Sequence, residues 1–167
     1  FACNYRVRSS HGGQPTSPYG TGGSAGDSSS GNAAGLAADF GVIALGTNTS
    51  GSARMPAALT GMIGMRPTFG FVPMRGVVPL SPSQDVLGPM CRVVRDCIAV
   101  LRIVASERFA ARGVVRPLRG LRVGVLRRSI RDGGRGPEAE ALRILGAAGA
   151  VVSDMVLRDE KVLAGLD

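Results

Sequence analysis

Two turns rich in glycine and serine constrain the fold of this chain more than any other feature. They are DSSSG at residues 27–31 and TSGS at residues 49–52, and each leads into a segment of helical composition. A predicted helix lies between them, followed by the short apolar run VIAL, residues 42–45, which is predicted to form a buried strand. We expect this connection to bring both turns to the same end of a sheet, where serine hydroxyls and turn amides would lie close together.

The periodicity of the remaining chain predicts the α/β class. Residues 121–126 and 150–157 are predicted strands, and PEAEALRILGAAG, residues 137–149, is a predicted helix with a proline in its first turn. This strand–helix–strand unit is typical of the α/β class. Residues 62–90 are rich in proline and glycine and are predicted to be irregular with brief strands. Three further helices are predicted, over residues 28–41, Ala53–Leu59 and Cys91–Ala105.

Composition bounds the classes of function. The 167 residues are 44% hydrophobic, which suits one domain or a substantial piece of a larger one. The net charge is +8, but aromatic residues make up only 4%, too few for a surface that stacks bases, so no nucleic-acid partner is expected. No apolar run reaches the roughly 18 residues of a membrane span. The three cysteines lack metal-ligand spacing, so we expect reduced thiols, a cytoplasmic location and no metal.

Familiar catalytic motifs are absent or out of context. GGSAG, residues 22–26, fits the nucleophile pattern of α/β-hydrolases, but no strand precedes it and the only histidine, His11, lies upstream. A phosphate-binding loop is excluded because no Gly-Lys pair exists. From residue types alone, the turns at 27–31 and 49–52 keep two interpretations. In the first, the backbone amides of the turns stabilise an oxyanion. In the second, the serines are ordinary N-caps of the helices that follow.

The segment from Gly26 to Met90 resembles the core of the amidase signature family. A Gly/Ser-rich run is followed by GTNTSGSARMPA at residues 46–57, which is similar to the family's G-T-D-T-G-G-S-x-R-x-P-A turn. GMIGMRPT at 61–68 and SPSQDVLGPM at 81–90 resemble the next two family segments. The resemblance covers roughly residues 12–157 and implies a mixed β-sheet core flanked by helices.

The resemblance also implies a Ser–Ser–Lys triad and no cofactor. Ser52 corresponds to the nucleophile that attacks an amide carbonyl. Ser28 corresponds to the bridging serine, which family members hold on a cis peptide. The substrate class implied is a small-molecule amide. The residues that correspond to the oxyanion hole are Thr49, Ser50 and Gly51. Those that correspond to supporting residues are Asn48, Arg54 and Ser29.

Several positions depart from the family pattern. The family's lysine lies several tens of residues before the bridging serine, whereas no lysine precedes Ser28 and the only one in the chain is Lys161. Asp27 replaces a glycine, which could disturb the cis turn. Asn48 replaces an aspartate, which weakens pairing with Arg54, and Ser50 replaces a glycine.

These departures lead us to expect that residues 1–167 are a partial amidase signature domain without its lysine-bearing and C-terminal parts. We expect an amidase that forms an acyl-enzyme at Ser52 in the complete protein and is inactive as this fragment. A non-catalytic amidase-like scaffold is one alternative. The A subunit of an aminoacyl-tRNA amidotransferase is another, although such subunits carry I-R-Q-P where this chain has Ala53-Arg54-Met55-Pro56.

Overall fold

The computed structural model describes residues 8–20, 23–105, 117–126 and 136–156. The chain forms two compact units, Phe1–Arg112 and Gly113–Asp167. Among the described residues, no helix combines the length and apolar character needed to cross a membrane. Both units mix helices and strands, so the predicted α/β class is confirmed.

The first unit is built around a three-stranded antiparallel sheet with the order β1-β3-β2. Its central strand pairs with β1 from Ile43↔Cys91 to Thr47↔Leu87 and with β2 at Ile63↔Cys91 and Gly64↔Met90. The elements follow the chain as α1 Ser30–Ala37, β1 Ile43–Thr47, α2 Arg54–Leu59, β2 Ile63–Gly64, β3 Leu87–Cys91 and α3 Val94–Val104.

The core of this unit lies where α1 and α2 pack on the sheet. It is formed mainly by small side chains, which allow the helices to approach the strands closely. Gly64 shows how tight the packing is, because a Cβ atom there would lie 2.7 Å from the carbonyl oxygen of Ala53. The buried cluster consists of Ala33, Leu36, Ala53, Ala57 and Met90.

Helix α1 ends four residues earlier than the sequence predicted. The predicted helix extended to Gly41, but Asp39 adopts a left-handed conformation with φ 64° two residues after the last residue of the helix. The amide of Asp39 then donates to the carbonyl of Leu36, and the amide of Phe40 donates to that of Gly35 at 2.9 Å. This is the Schellman arrangement, with an aspartate in the position that glycine usually occupies.

Arg92 holds the end of α1 against the sheet. Its guanidinium donates to the carbonyl oxygen of Gly41 at 3.0 Å and to that of Leu36 at 2.5 Å. It also pairs with the carboxylate of Asp39. The cation therefore satisfies carbonyls at the C-terminus of the helix, where positive charge is favoured.

The predicted strand VIAL forms, but its burial was predicted wrongly. Strand β1 extends to Thr47 and lies at an edge of the sheet. Val42, Ile43 and Leu45 are 67%, 45% and 40% exposed. Alternation explains this result: Ala44 and Gly46 face the core, whereas the other face of the strand is exposed within the described part of the chain.

Cys91 was predicted to begin a helix, but it ends strand β3, and α3 starts at Val94. Cys91 and Cys97 are fully buried. The expectation of free thiols is wrong for this pair, because the two residues form a disulfide with a Cα–Cα distance of 5.6 Å. The strand turns sharply into the helix, which brings the two side chains together. The disulfide removes the support that free thiols gave to a cytoplasmic location.

The second unit is the predicted strand–helix–strand motif. Strands β4 Arg122–Val125 and β5 Val151–Asp154 are parallel, and α4 Pro137–Ala147 connects them. Gly149 follows the helix with φ +90°, and a Cβ atom there would lie 3.3 Å from the Cα of Arg119. The left-handed conformation lets the chain leave α4 and return at once to the sheet.

Candidate active site

The two serine-rich turns meet, as their connection predicted. The backbone amide of Ser29 donates a hydrogen bond to the carbonyl oxygen of Ser52 at 3.0 Å. The hydroxyl of Ser29 makes a long contact of 3.4 Å with the carbonyl oxygen of Thr47. Strand β1 and helix α1 therefore position both turns side by side at one end of the sheet.

The peptide bond between Asp27 and Ser28 is cis. The resemblance implies this geometry for the peptide that precedes Ser28. Asp27 is 8% exposed, and Ser28 beside it is partly buried. The cis peptide is thus present with an aspartate where the family pattern has glycine.

Neither turn acts as an ordinary N-cap. Ser29 occupies the N-cap position of α1, but its side chain makes no capping hydrogen bond. Ala53 occupies the N-cap position of α2 and has no side chain able to cap. Ser52, directly before it, is 8% exposed. Neither N-cap residue therefore caps its helix with its side chain.

Asn48 supplies the cap that α2 lacks. Its Oδ1 accepts hydrogen bonds from the amides of Ala53 at 3.1 Å and Arg54 at 3.3 Å. Its Nδ2 donates to the carbonyl oxygen of Ser50 at 3.0 Å. Asn48 is fully buried, and its amide side chain accepts at the oxygen and donates at the nitrogen. The asparagine therefore closes the turn across residues 48–54.

Arg54 supports the same turn by a different contact from the one predicted. The resemblance paired its side chain with residue 48, but its guanidinium donates to the carbonyl oxygen of Ser50 at 2.6 Å. Two donors thus hold that carbonyl. In a planar trans peptide the following N–H points the opposite way. Fixing the carbonyl of Ser50 therefore fixes the direction of the Gly51 amide.

A second set of contacts fastens the turn to the loop before β3. The amide of Asn48 donates to the carbonyl oxygen of Val86 at 2.7 Å. The hydroxyl of Thr49 donates to Oδ1 of Asp85 at 2.6 Å. Sequence reasoning missed Asp85, although SPSQDVLGPM was recognised as a segment similar to the family's. The signal available was an aspartate within that otherwise uncharged stretch.

The amides of Thr49, Ser50, Gly51 and Ser52 donate no hydrogen bond to any described part of the chain. Buried or partly buried backbone amides are almost always paired. The amides of half-buried Thr49 and Gly51 and of buried Ser52 therefore lack the usual partner within the described chain, whereas Ser50 is exposed to solvent. Within the described ranges, no group of three or more His, Cys, Asp or Glu residues is arranged to hold a metal ion. Lys161 lies outside the described residues.

The family model described as Amidase matches residues 1–157. The chain belongs to the amidase signature family. The A subunit of the glutamyl-tRNA(Gln) amidotransferase from Roseiflexus castenholzii is 41% identical over 149 residues, which cover 79% of this chain and 30% of that relative. The corresponding subunit from Deinococcus radiodurans is 37% identical over 172 residues, which cover 93% of this chain and 35% of the relative.

Solved structures place the chain in the same family. The native peptide amidase from Stenotrophomonas maltophilia superposes with a TM-score of 0.80 and 35% identity, over 95% of this chain and 36% of that one. The A subunit of the glutamyl-tRNA(Gln) amidotransferase from Thermotoga maritima superposes with a TM-score of 0.72 and 31% identity, over 85% and 35% of the two chains. This amidase signature chain therefore spans about a third of the length of the relatives it matches.

Proposed function

We propose that the protein hydrolyses the C–N bond of a carboxamide through an acyl-enzyme on Ser52. The oxygen of Ser52 attacks the amide carbonyl carbon and forms a tetrahedral intermediate with a negatively charged oxygen. The C–N bond then breaks, and ammonia or an amine leaves with the proton that Ser52 lost. Water hydrolyses the resulting ester, which releases a carboxylate and restores the hydroxyl.

One observation carries this proposal: the four consecutive amides of residues 49–52, the last of which is that of Ser52 itself, have no acceptor in the described chain. Amide donors held in place before the reaction stabilise a developing oxyanion and cost no reorganisation. The contacts of Asn48 and Arg54 to the carbonyl of Ser50 hold the turn in one conformation. Loss of one such oxyanion donor typically slows a reaction by 10²–10³-fold, about 3–4 kcal/mol of barrier.

In this proposal Ser28 transfers protons. Its turn is joined to that of Ser52 by the hydrogen bond between the Ser29 amide and the Ser52 carbonyl. Ser28 takes the proton of Ser52 as the attack proceeds and returns it toward the leaving amine. A base must complete the relay, and the family uses a lysine that precedes the bridging serine. Lys161 follows Ser28, so we expect the 167-residue chain alone to turn over little or no amide.

The test compares the complete protein with its Ser52→Ala and Ser28→Ala variants. Ammonia or amine release is measured with a C-terminal peptide amide, an aryl acylamide and glutamine. We expect Ser52→Ala to lower kcat by more than about 10³-fold, because no nucleophile remains. Ser10→Ala, in an exposed turn, is the matched control and should keep wild-type kcat. Wild-type turnover by the Ser52 variant would refute the proposal. A folded wild-type protein without any turnover would instead support a non-catalytic scaffold.

A second candidate is the role of an amidotransferase component that releases ammonia from glutamine. The observation in its favour is that curated relatives named for that enzyme are 34–41% identical to this chain. Met55 stands where the glutamine of the I-R-Q-P sequence would lie, which favours the independent amidase. Co-purification with other amidotransferase subunits, together with glutamine hydrolysis that depends on them, would decide for the second candidate. Hydrolysis by the purified single protein would decide for the first.

A further inference from the structure

Asp85 is a buried carboxylate that the proposed reaction does not use. It is 3% exposed and accepts three hydrogen bonds. Oδ1 accepts from the Thr49 hydroxyl at 2.6 Å, and Oδ2 accepts from the amides of Leu80 at 2.7 Å and Ser81 at 2.9 Å. No Lys or Arg among the described residues forms an ion pair with it. A buried charge without a cation is costly and is retained only where its hydrogen bonds compensate.

The position of Asp85 continues the pairing of β1 and β3 into the turn. The register of these strands ends at Thr47↔Leu87. The next contact is the bond from the Asn48 amide to the Val86 carbonyl. The bond from Thr49 to Asp85 follows it, so that three consecutive residues of each segment are joined in order. Of the three, only this last bond involves a residue of the turn 49–52, whose amides are the proposed oxyanion donors; we call it the oxyanion turn.

The Thr49–Asp85 contact therefore complements the contacts inside the turn. Asn48 and Arg54 hold the carbonyl of Ser50 from within. Asp85 holds the preceding residue from outside through its side chain, which leaves the Thr49 backbone amide without a partner in the described chain. Because each peptide unit is planar, fixing the carbonyl of Ser50 fixes the direction of the Gly51 amide. The side-chain bond of Thr49 to Asp85 restrains the residue that precedes Ser50.

We propose that Asp85 is a positioning residue for the reaction at Ser52, because it accepts the Thr49 hydroxyl and so fixes the oxyanion turn. The inference rests on the proposed function. Charge strengthens the contact: burial raises the pKa of Asp85, but the hydrogen bonds from Thr49, Leu80 and Ser81 outweigh burial and hold that pKa below its ordinary value. The carboxylate is thus ionised at neutral pH, and charge-assisted hydrogen bonds are short and strong.

The experiment measures kcat and KM of the complete protein for an amide substrate, with the enzyme concentration set by active-site titration. Thr49→Val keeps the shape of the side chain and removes the hydroxyl, and Asp85→Asn removes the charge. We expect each to lower kcat roughly 10- to 100-fold with KM changed less than about twofold, because small misplacements at a reacting centre are this costly. Thr49→Ser, which restores a hydroxyl, should recover most of the loss.

Thr60→Val is the matched control. Thr60 is fully buried, and its hydroxyl donates to the carbonyl of Pro56 at 2.8 Å, away from the turn. This variant should unfold at a lower temperature yet keep wild-type kcat per titrated site. In addition, the double variant T49V/D85N should be no slower than the slower single variant, because both lose the same interaction.

Three results would overturn the inference: wild-type kcat in Thr49→Val, equal losses in Thr49→Ser and Thr49→Val, or additive losses in the double variant. If Asp85→Asn fails to fold, the two Thr49 variants still decide. Failure of the proposed function is distinguishable, because Ser52→Ala would then retain activity. Failure of this inference alone leaves Ser52→Ala inactive and Thr49→Val fully active.

Discussion

The backbone amide of Ser29 donates a hydrogen bond to the carbonyl oxygen of Ser52 at 3.0 Å, which joins the two serine-rich turns. The contact requires helix α1 to lie close to strand β1. Gly46 permits this approach, because a Cβ atom there would lie 2.6 Å from the Ser29 Oγ and 3.0 Å from the Ser29 Cβ. The two turns can therefore lie this close because strand β1 has a glycine, Gly46, where it faces Ser29.

Gly46→Ala should therefore separate the two turns. We expect the free energy of unfolding to fall by about 1–3 kcal/mol from overpacking, and amide hydrolysis to fall with it as Ser29 moves away from Ser52. The measurement is thermal unfolding together with kcat. Gly31→Ala is the matched control, since a Cβ there meets nothing within 4 Å and alanine favours a helix. Equal behaviour of the two variants would contradict this explanation.

Asn48→Ala should destabilise the turn strongly. The substitution leaves the amides of Ala53 and Arg54 and the carbonyl of Ser50 without the partners that Asn48 provides. The Ser50 carbonyl keeps its bond from Arg54, so two amides are left unsatisfied; at about 1–3 kcal/mol each, we expect a loss of about 2–6 kcal/mol. Asn32→Ala is the control, because Asn32 is exposed and makes one bond, to Leu45. Denaturant unfolding should show a smaller loss there, about 0.5–1.5 kcal/mol. The reverse order would refute the capping role of Asn48.

The pH dependence of stability should report on Asp85. Hydrogen bonds overcome burial and hold its pKa in the folded protein below the ordinary value. The stability that it contributes is therefore present above the unfolded pKa of about 3.9 and is lost as pH falls through the folded pKa. Unfolding midpoints measured between pH 7 and pH 2 should fall less steeply in Asp85→Asn than in the wild-type protein.

Glu140 gives the contrast for this measurement. The pKa of its exposed carboxyl is also lowered, by the hydrogen bond from Arg143. Salt screens exposed pairs far more than buried groups. High salt should therefore remove any effect of Glu140→Gln and leave that of Asp85→Asn. Identical pH profiles for Asp85→Asn and the wild-type protein would contradict the role of the buried carboxylate.

Arg92→Ala should loosen the end of α1. The guanidinium satisfies the carbonyls of Leu36 and Gly41, and hydrogen bonds to a charged group contribute about 1.5–3 kcal/mol. Unfolding monitored by circular dichroism should show a loss of about that size. Arg95→Ala should change stability by less than about 0.5 kcal/mol, because the Arg95 side chain is 91% exposed. An equal loss in both variants would assign the effect to net charge.

Local patterns predicted the parts of the fold that depend on neighbouring residues. The unit of β4, α4 and β5 follows directly from its periodicity and from the proline that begins α4. Strand β3 was harder because it contains Gly88 and Pro89, residues that argue against a central strand. Gly88 is required there, since a Cβ atom would overlap the carbonyl oxygen of Met65. Such a requirement is visible only after the two segments pack.

In the candidate site, too, the sequence predicted the local features and not the contacts between distant segments. Residue types and the family resemblance located the turns of Ser28 and Ser52. They did not reveal that Arg54 contacts the carbonyl of Ser50 or that Asp85 holds Thr49. These contacts join segments distant in sequence, and their geometry depends on the end of the β1–β3 ladder. The cysteine pair was missed for a related reason, because its closure depends on where β3 ends and α3 begins.

The central claim is that Ser52 is a nucleophile beside amides that stabilise an oxyanion. The most direct test treats the complete protein with a fluorophosphonate, which phosphonylates activated serines, and maps the adduct by tandem mass spectrometry. We expect one adduct, on Ser52, that is absent from Ser52→Ala and from denatured protein. An adduct on another serine that persists in Ser52→Ala, or no adduct on a protein that hydrolyses amides, would contradict the claim.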